Sequence, residues 1–236
     1  MKTDKTTGES PNFEYYGNDN PKNSLSHGPT IEGGGGHGGD LVNSWCTDGD
    51  DHAPSGGGGG SYQVKGAAGY SSEKDKNKGS APYGDAKMRT FFLGSGGGGG
   101  SAYRHSSGEG YGGYGGTGGG AVMLFANKLK FSPTAYIDVR GSDADAATTH
   151  GAAGGGGSGG SVYIQCGAEC QVEPYQIKSE GGAAGEKFYS GGYGGDGSPG
   201  RVRVAKAAGR SICVNDKNDD WVCTSKDSKD DYCKDL

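Results

Sequence analysis

The sequence predicts a glycine-rich, mainly β or irregular fold in which packed polyglycine-II helices accompany short β-strands, with essentially no α-helix. Three observations predict it: glycine supplies 53 of 236 residues, glycines recur at every third position in several tracts, and apolar residues recur at a spacing of 40. A three-residue period is typical of a left-handed polyproline-type helix. A fixed longer spacing indicates a solenoid-like repeat whose units bury each other's faces.

The three-residue period is clearest in the tract 151–160, which leads directly into the apolar run SVYI. A glycine at each period lets a neighbouring backbone approach closely enough for N–H to C=O hydrogen bonds between tracts. The same period recurs at 33–39, 94–100, 112–118 and 191–200. The glycines that we expect to be structural are Gly151, Gly154, Gly157, Gly160, Gly191, Gly194, Gly197 and Gly200.

The 40-residue spacing links Val122, Val162 and Val202, and it also links Ile137 and Ile177. These residues lie in short runs that are rich in β-branched and aromatic residues and are bounded by Gly or Pro, as is typical of strands. We therefore expect the valines to stack in register, and the isoleucines likewise. Alternation in RVRV and YIDV predicts an apolar face and a charged, solvated face.

Composition divides the chain into three parts. Residues 1–32 are polar, contain three prolines and show no period, which predicts an N-terminal arm that is either extended or an irregular cover over strands. Residues 33–205 form the glycine-rich repeat domain. Residues 206–236 form an acidic, cysteine-containing C-terminal tail, which we expect to be a small crosslinked hook.

Charge and hydropathy exclude several classes of protein. A net charge of -5 and a pI near 5.5 argue against nucleic acid as a partner. No apolar run approaches the ~20 residues that cross a bilayer, so no membrane span is expected. The first ten residues lack the apolar region of a signal peptide, so we expect either that a signal was removed or that the chain leaves the cell by another route, including lysis.

The six cysteines favour disulfides in an oxidising compartment, because a chain with only 31% hydrophobic residues has little core. They permit fifteen pairings, among which the sequence does not choose. Three of them lie in the tail, so at least one must stay free, reach another chain or bond to the body. We expect the tail to fold back as a covalent clasp over the edge of RVRV. The disulfide candidates are Cys46, Cys166, Cys170, Cys213, Cys223 and Cys233.

Residue patterns do not predict catalysis. The five histidines lie in polar, glycine-flanked loops, and the G-x-S-x-G match at 156–160 lacks the required strand-turn-helix context. Asp48, Asp50 and Asp51 are candidate calcium ligands, but their spacing is not that of an EF-hand, and a solvated turn is the expectation. No cofactor, catalytic residue or metal site is therefore predicted.

Tyrosines are the candidate ligand residues. Tyr111 and Tyr114 are three residues apart, so a three-residue helix would project both from the same side. Together with Tyr193 they are expected either to contact a ligand or to pack over the bundle.

The tracts GHGG at 36–39, GSGGGGGS, GGGAVML and GGGGSGGSVYI resemble the glycine-rich repeats of large extracellular and cell-surface proteins. Their every-third glycines are similar to the polyglycine-II regions of anaplastic-lymphoma-type receptor ectodomains and bacteriophage tail-fibre adhesins. The resemblance covers roughly residues 33–205 and implies a location outside the cell or on a cell or virion surface. The N-terminal arm and the tail depart from it.

These observations together predict a non-catalytic extracellular structural or adhesive module, a rigid scaffold that associates with copies of itself or with other extracellular proteins or glycans. The alternative is a recognition protein whose loops bind a receptor or a surface glycan. A third class, ice binding, requires a flat face of small residues and is disfavoured by the long Lys- and Asp-bearing loops.

Overall fold

The computed structural model describes residues 55–70, 79, 81–101, 103–105, 108–148, 151–187, 191–206, 212–215 and 221–224. This part of the chain contains no α-helix, and its only helical segment is the 3-10 turn Pro174–Gln176. The described fold is therefore mainly β and irregular, as the sequence predicts.

Nine short strands form three sheets in the described residues. A five-stranded sheet has the order β3-β5-β7-β8-β9, in which the first three strands are parallel and the last two antiparallel. The antiparallel pair β1-β2 and the parallel pair β4-β6 are separate. The strands are β1 (Tyr103–His105), β2 (Gly108–Gly110), β3 (Ala121–Lys130), β4 (Ile137–Asp138), β5 (Ser161–Gln171), β6 (Ile177–Lys178), β7 (Arg201–Lys206), β8 (Ile212–Asn215) and β9 (Trp221–Thr224).

The predicted register of the apolar residues is confirmed. Val162 pairs with Val122 on one side and with Val202 on the other, and Ile137 pairs with Ile177. The pairing of β3 with β5 shifts by one residue after Ala126, so β5 contains one extra residue there. Equal spacing in the sequence thus becomes side-by-side alignment in the sheet.

One face of this sheet builds the apolar core. Val162 and Ile164 are fully buried, and partly buried residues of β3 and β7 pack around them. The other buried members of the cluster are Val139, Cys166, Ile177 and Val202. This core is small for the length of the chain, and most of the remaining buried residues are glycine, alanine and serine.

The tract 151–160 lies at the centre of the glycine-rich region, and every one of its residues is buried. Its backbone N–H groups donate in three directions in turn, and each direction recurs at every third residue. The first direction leads to the segment 139–148, where the carbonyls of Asp145, Ser142 and Val139 accept from Gly154, Gly157 and Gly160. The second leads to 94–101, where Ser101, Gly98 and Ser95 accept from Ala152, Gly155 and Ser158. The third leads to 191–200, where Gly192, Gly195 and Ser198 accept from Ala153, Gly156 and Gly159.

The carbonyl groups of the same tract accept hydrogen bonds from three further segments. The donors are Gly57 and Gly60, then Gly113, Gly116 and Gly119, and finally Gly182 and Gly185. Six segments therefore surround the central one, and backbone bonds join each of the six to the next around the circle. We call this assembly the glycine bundle; it comprises 151–160 and, in order around it, 55–60, 94–101, 111–119, 139–148, 179–186 and 191–200.

Close approach explains the glycines of the bundle. A Cβ atom on Gly157 would lie 1.9 Å from the carbonyl oxygen of Thr117, a distance that real side chains do not reach. A positive φ is not the reason, because Gly84 is the only described glycine that has one. The tracts thus need glycine because a neighbouring backbone occupies the space of the side chain.

Candidate functional site

The tyrosines predicted as ligand residues all lie on the outside of the glycine bundle. Tyr111 and Tyr114 are 40% and 42% exposed on the same segment, and the carbonyls of both accept bonds from 139–148. Tyr193 is 54% exposed and lies on 191–200, three places further around the circle of six segments, with its ring 5.8 Å from that of Tyr70. The structure brings Tyr111 and Tyr114 together and places Tyr193 on the opposite side.

A more elaborate group of side chains lies on the second face of the large sheet. Register pairs Ser161 with Arg201 and Tyr163 with Arg203. The segment 81–93, which we call the strap, crosses this face. Three side chains of the sheet donate hydrogen bonds to backbone carbonyls of the strap. Arg201 Nη2 donates to the carbonyl of Tyr83 (2.9 Å), and Ser161 Oγ donates to that of Phe92 (2.6 Å). Arg203 Nη1 donates to the carbonyl of Lys87.

Aromatic rings hold the two arginines in place. Tyr62 is fully buried, stacks on Tyr83 with 4.6 Å between ring centroids, and has its hydroxyl 2.5 Å from Ser161 Oγ. The guanidinium of Arg201 lies 5.3 Å from the ring of Tyr62, and that of Arg203 lies 5.6 Å from the ring of Tyr163. Both distances are within the range of cation–π attraction. We call Tyr62, Tyr83, Tyr163, Arg201 and Arg203 the arginine–tyrosine cluster.

The electrostatics of the cluster are unbalanced. The Nε atoms of Arg201 and Arg203 and the Oδ1 atom of Asp85 are buried without a hydrogen-bond partner. The other oxygen of Asp85 lies 3.2 Å from Nε of Arg89. Burial acts to raise the pKa of Asp85, but the hydrogen bond and charge of Arg89 outweigh it and lower that pKa.

Burial also sets the protonation of the aromatic residues. Desolvation raises the pKa of Tyr62 and of Tyr83, so both phenols are neutral at physiological pH. Desolvation lowers the pKa of Arg201 from its high ordinary value, and the guanidinium stays charged. The site therefore presents a charged Arg201 beside the neutral phenols of Tyr62 and Tyr83.

Sequence reasoning missed this cluster. It predicted that the charged face of RVRV is solvated, and that is wrong for β7, because the strap covers Arg201 and Arg203 and leaves them only partly exposed. The available signal was the run MRTFFL before the 94–101 tract, whose apolar residues lie in the strap. Alternation along one strand does not reveal what a distant segment will cover.

A second surface surrounds strand β3. Within the described residues β3 pairs with β5 alone, so its other edge lies at the end of the sheet. Met123 and Phe125 are 47% and 63% exposed on this strand, and the ring of Phe125 contacts that of Tyr163 edge-on at 5.7 Å. We call Met123, Phe125 and the outer edge of β3 the β3 face.

The cysteines are only partly described. Cys166 and Cys170 form a disulfide within β5, with 5.6 Å between their Cα atoms, so of the three body cysteines to which the tail could bond, only Cys46 is left. The tail nonetheless covers the edge of RVRV, because β8 pairs with β7. Register places Cys213 opposite Cys223, whereas Cys46 and Cys233 lie outside the described residues.

The candidate calcium ligands Asp48, Asp50 and Asp51 also lie outside the described residues. In the part of the chain that the structure describes, no three His, Cys, Asp or Glu side chains gather in a way that would hold a metal ion. No helix in that part is long and apolar enough to cross a membrane.

Comparison with known proteins found no matching family model, curated protein or solved structure.

Proposed function

We propose that this chain is a non-catalytic extracellular structural or adhesive module, a rigid scaffold of packed polyglycine-II helices and short strands built from units of about 40 residues. The observation that carries the proposal is the central tract 151–160, which is wholly buried and bonded through its backbone to six other segments. By this proposal the chain shares its polyglycine-II architecture with receptor ectodomains and tail-fibre adhesins of that kind.

The three-residue alternation of hydrogen-bond partners supports the polyglycine-II conformation. In a helix with three residues per turn, every third N–H points in the same direction. Gly154, Gly157 and Gly160 donate to one neighbouring segment at N···O distances of 3.3, 3.0 and 2.7 Å, as such a helix requires. A β-strand, with a period of two, would alternate between two directions instead.

Rigidity follows from the same bonds. Glycine loses more conformational freedom on folding than other residues, and the apolar core here is small. Backbone hydrogen bonds contribute about 0.5 to 1.5 kcal/mol each, and those of 151–160 are shielded from water. Such a framework resists deformation and holds surface loops at fixed positions, which suits a structural role. The disulfide Cys166–Cys170 supports an oxidising, extracellular location.

The β3 face supports assembly with copies of the chain. An edge strand of ten residues offers a row of backbone donors and acceptors to a further strand, and exposed apolar side chains beside it favour association. Residues of β3 that face outward include Met123 and Phe125, whereas Lys128 and Lys130 near its end limit indiscriminate pairing.

Analytical ultracentrifugation of the full chain tests this role. We expect concentration-dependent association of the wild type and its loss in the double variant Met123→Ser, Phe125→Ser. The control is Tyr175→Ser, which removes a side chain that is 67% exposed but lies outside β3, and it should associate like the wild type. A wild type that stays monomeric at all concentrations, or a control that fails equally, contradicts assembly through the β3 face.

The arginine–tyrosine cluster favours a second candidate function, recognition of a receptor or a surface glycan. A monomeric wild type that is captured by an immobilised glycan would select this alternative over self-assembly.

A further inference from the structure

We propose that the arginine–tyrosine cluster binds the sulfate groups of acidic polysaccharides. The inference deepens the adhesive role proposed above and rests on it, because it names the chemistry of a surface to which the scaffold would attach. It is carried by the two guanidinium groups of β7, whose donors are only partly used.

Unused donors are the first argument. A guanidinium presents five N–H donors in a planar fork that matches the oxygens of a sulfate or carboxylate. Arg201 and Arg203 each give one Nη–H to a strap carbonyl, which leaves further Nη donors on each guanidinium for a ligand, whereas their Nε atoms are buried without a partner and out of its reach. The two residues are separated by one position on the same face of one strand, so a single oxyanion can reach both.

Charge is the second argument. Strand β7 contributes the cations Arg201, Arg203 and Lys206, whereas the strap and β7 together contain only one carboxylate, Asp85, in a chain of net charge -5. Asp85 is already engaged with Arg89 through one oxygen. Because half-buried cations without counter-ions are costly, an anion supplied from outside is favoured at this place.

Aromatic support is the third argument. The rings of Tyr62 and Tyr163 lie within cation–π range of the two guanidinium groups, and this attraction helps to order the donors before a ligand arrives. The half-buried ring of Tyr163 lies beside Arg203 and offers an aromatic surface on which a sugar ring can rest. An acidic chain with a localised basic site suits a discrete anionic group better than a nucleic acid backbone.

Asp85 gives the site a testable regulator. It stands in the strap between Tyr83 and Lys87, the two residues whose carbonyls the arginines hold. Its unpartnered oxygen is buried beside cations, so an incoming sulfate must compete with this carboxylate. Removing its charge should therefore strengthen sulfate binding, an effect that a purely structural role of the arginines would not produce.

The experiment is calorimetric titration of the full chain with a sulfated oligosaccharide, the same oligosaccharide after desulfation, and inorganic sulfate. We expect the sulfated sugar alone to bind well, with affinity reduced about tenfold or more in Arg203→Gln, as the loss of a charge-assisted hydrogen bond implies. Asp85→Asn should bind several-fold more tightly. Arg140→Gln removes the same charge from an arginine that is paired with Asp138 and lies outside the cluster, and it should bind like the wild type.

Equal losses in Arg203→Gln and Arg140→Gln would show only general charge attraction and overturn the proposal, as would equal binding of the desulfated sugar. Inorganic sulfate that binds as tightly as the sugar would mean an adventitious ion only. If Arg203→Gln does not fold, Arg203→Lys keeps the charge and loses the fork, and it should still bind more weakly than the wild type. A wild type that assembles but does not bind the sulfated sugar contradicts this inference and leaves the scaffold role intact.

Discussion

The carbonyl oxygen of Gly120 lies 1.8 Å from the position that a Cβ atom on Gly160 would occupy. The same oxygen accepts a hydrogen bond of 3.0 Å from the amide of Ser161. Close approach and hydrogen bonding are thus two aspects of one contact between the segments that precede β3 and β5. Alanine at Gly160 would have to move a backbone and not merely a flexible side chain.

Gly160→Ala should lower the free energy of unfolding by about 3 kcal/mol or more, because the added methyl group overpacks a site bounded by backbone. Gly120→Ala is the matched control, since no atom lies within 4 Å of its Cβ position. That control should be neutral or stabilising by about 0.5 kcal/mol through the entropy of the unfolded chain. Denaturant titration measures both, and equal effects of the two variants would contradict the close packing.

Val162→Asp should cost several kcal/mol, roughly 3 or more, because it places a charge between Val122 and Val202 in a fully buried position. Met123→Asp introduces the same side chain at a position that is 47% exposed on the neighbouring strand, and it should change stability little. The melting temperatures of the two variants, each compared with that of the wild type, test this expectation. An unchanged melting temperature for Val162→Asp would mean that the valine ladder is not buried.

Sequence reasoning succeeded where a period has only one structural meaning. The 40-residue spacing of Val122, Val162 and Val202 predicted that these residues stack in register, and the structure pairs them so, in strands that are parallel. The position of the strap, in contrast, could not be predicted from the sequence. Its placement over Arg201 and Arg203 depends on contacts between positions more than 100 residues apart, which no local pattern encodes.

The ion pair of Asp138 and Arg140 should give stability a dependence on acid pH. The hydrogen bonds from Arg140 lower the pKa of Asp138 to about 2 from an ordinary value of 3.8. Because the folded-state pKa is depressed, the stabilisation is complete above the ordinary value and disappears as the pH falls to about 2.

Melting temperatures of the wild type and of Asp138→Asn should therefore differ slightly at neutral pH and converge between about pH 4 and pH 2. The difference is expected to be small, since both side chains are partly exposed to solvent. Arg140→Gln should reproduce the same convergence. A difference that persists unchanged at pH 2 would show that the pair does not account for it.

Cys213 and Cys223 should be found disulfide-bonded to each other. Directly opposite residues of antiparallel strands have Cα atoms about 4.5 to 5.5 Å apart, which is within the range of disulfides. Non-reducing peptide mapping should recover this pair together with Cys166–Cys170. Recovery of Cys213 or Cys223 bonded to Cys46, or as a free thiol, would contradict this expectation.

The candidate site also shows the limit of compositional reasoning. Tyr111 and Tyr114 could be placed on one side because a three-residue period fixes their direction, and they are both exposed. The position of Tyr193 across the bundle depends on the order of the six segments around 151–160, and that order is set by backbone bonds between distant tracts of nearly identical composition.

Hydrogen–deuterium exchange of the backbone amides of 151–160 tests the central claim most directly. If this tract is the bonded centre of a rigid glycine bundle, its amides should exchange only through global unfolding, slower than in an unstructured chain by about a thousandfold or more. The amides of Ser132 and Thr134, in the exposed turn after β3, serve as the fast-exchanging reference within the same molecule. Exchange of 151–160 at the rate of that turn would contradict the account.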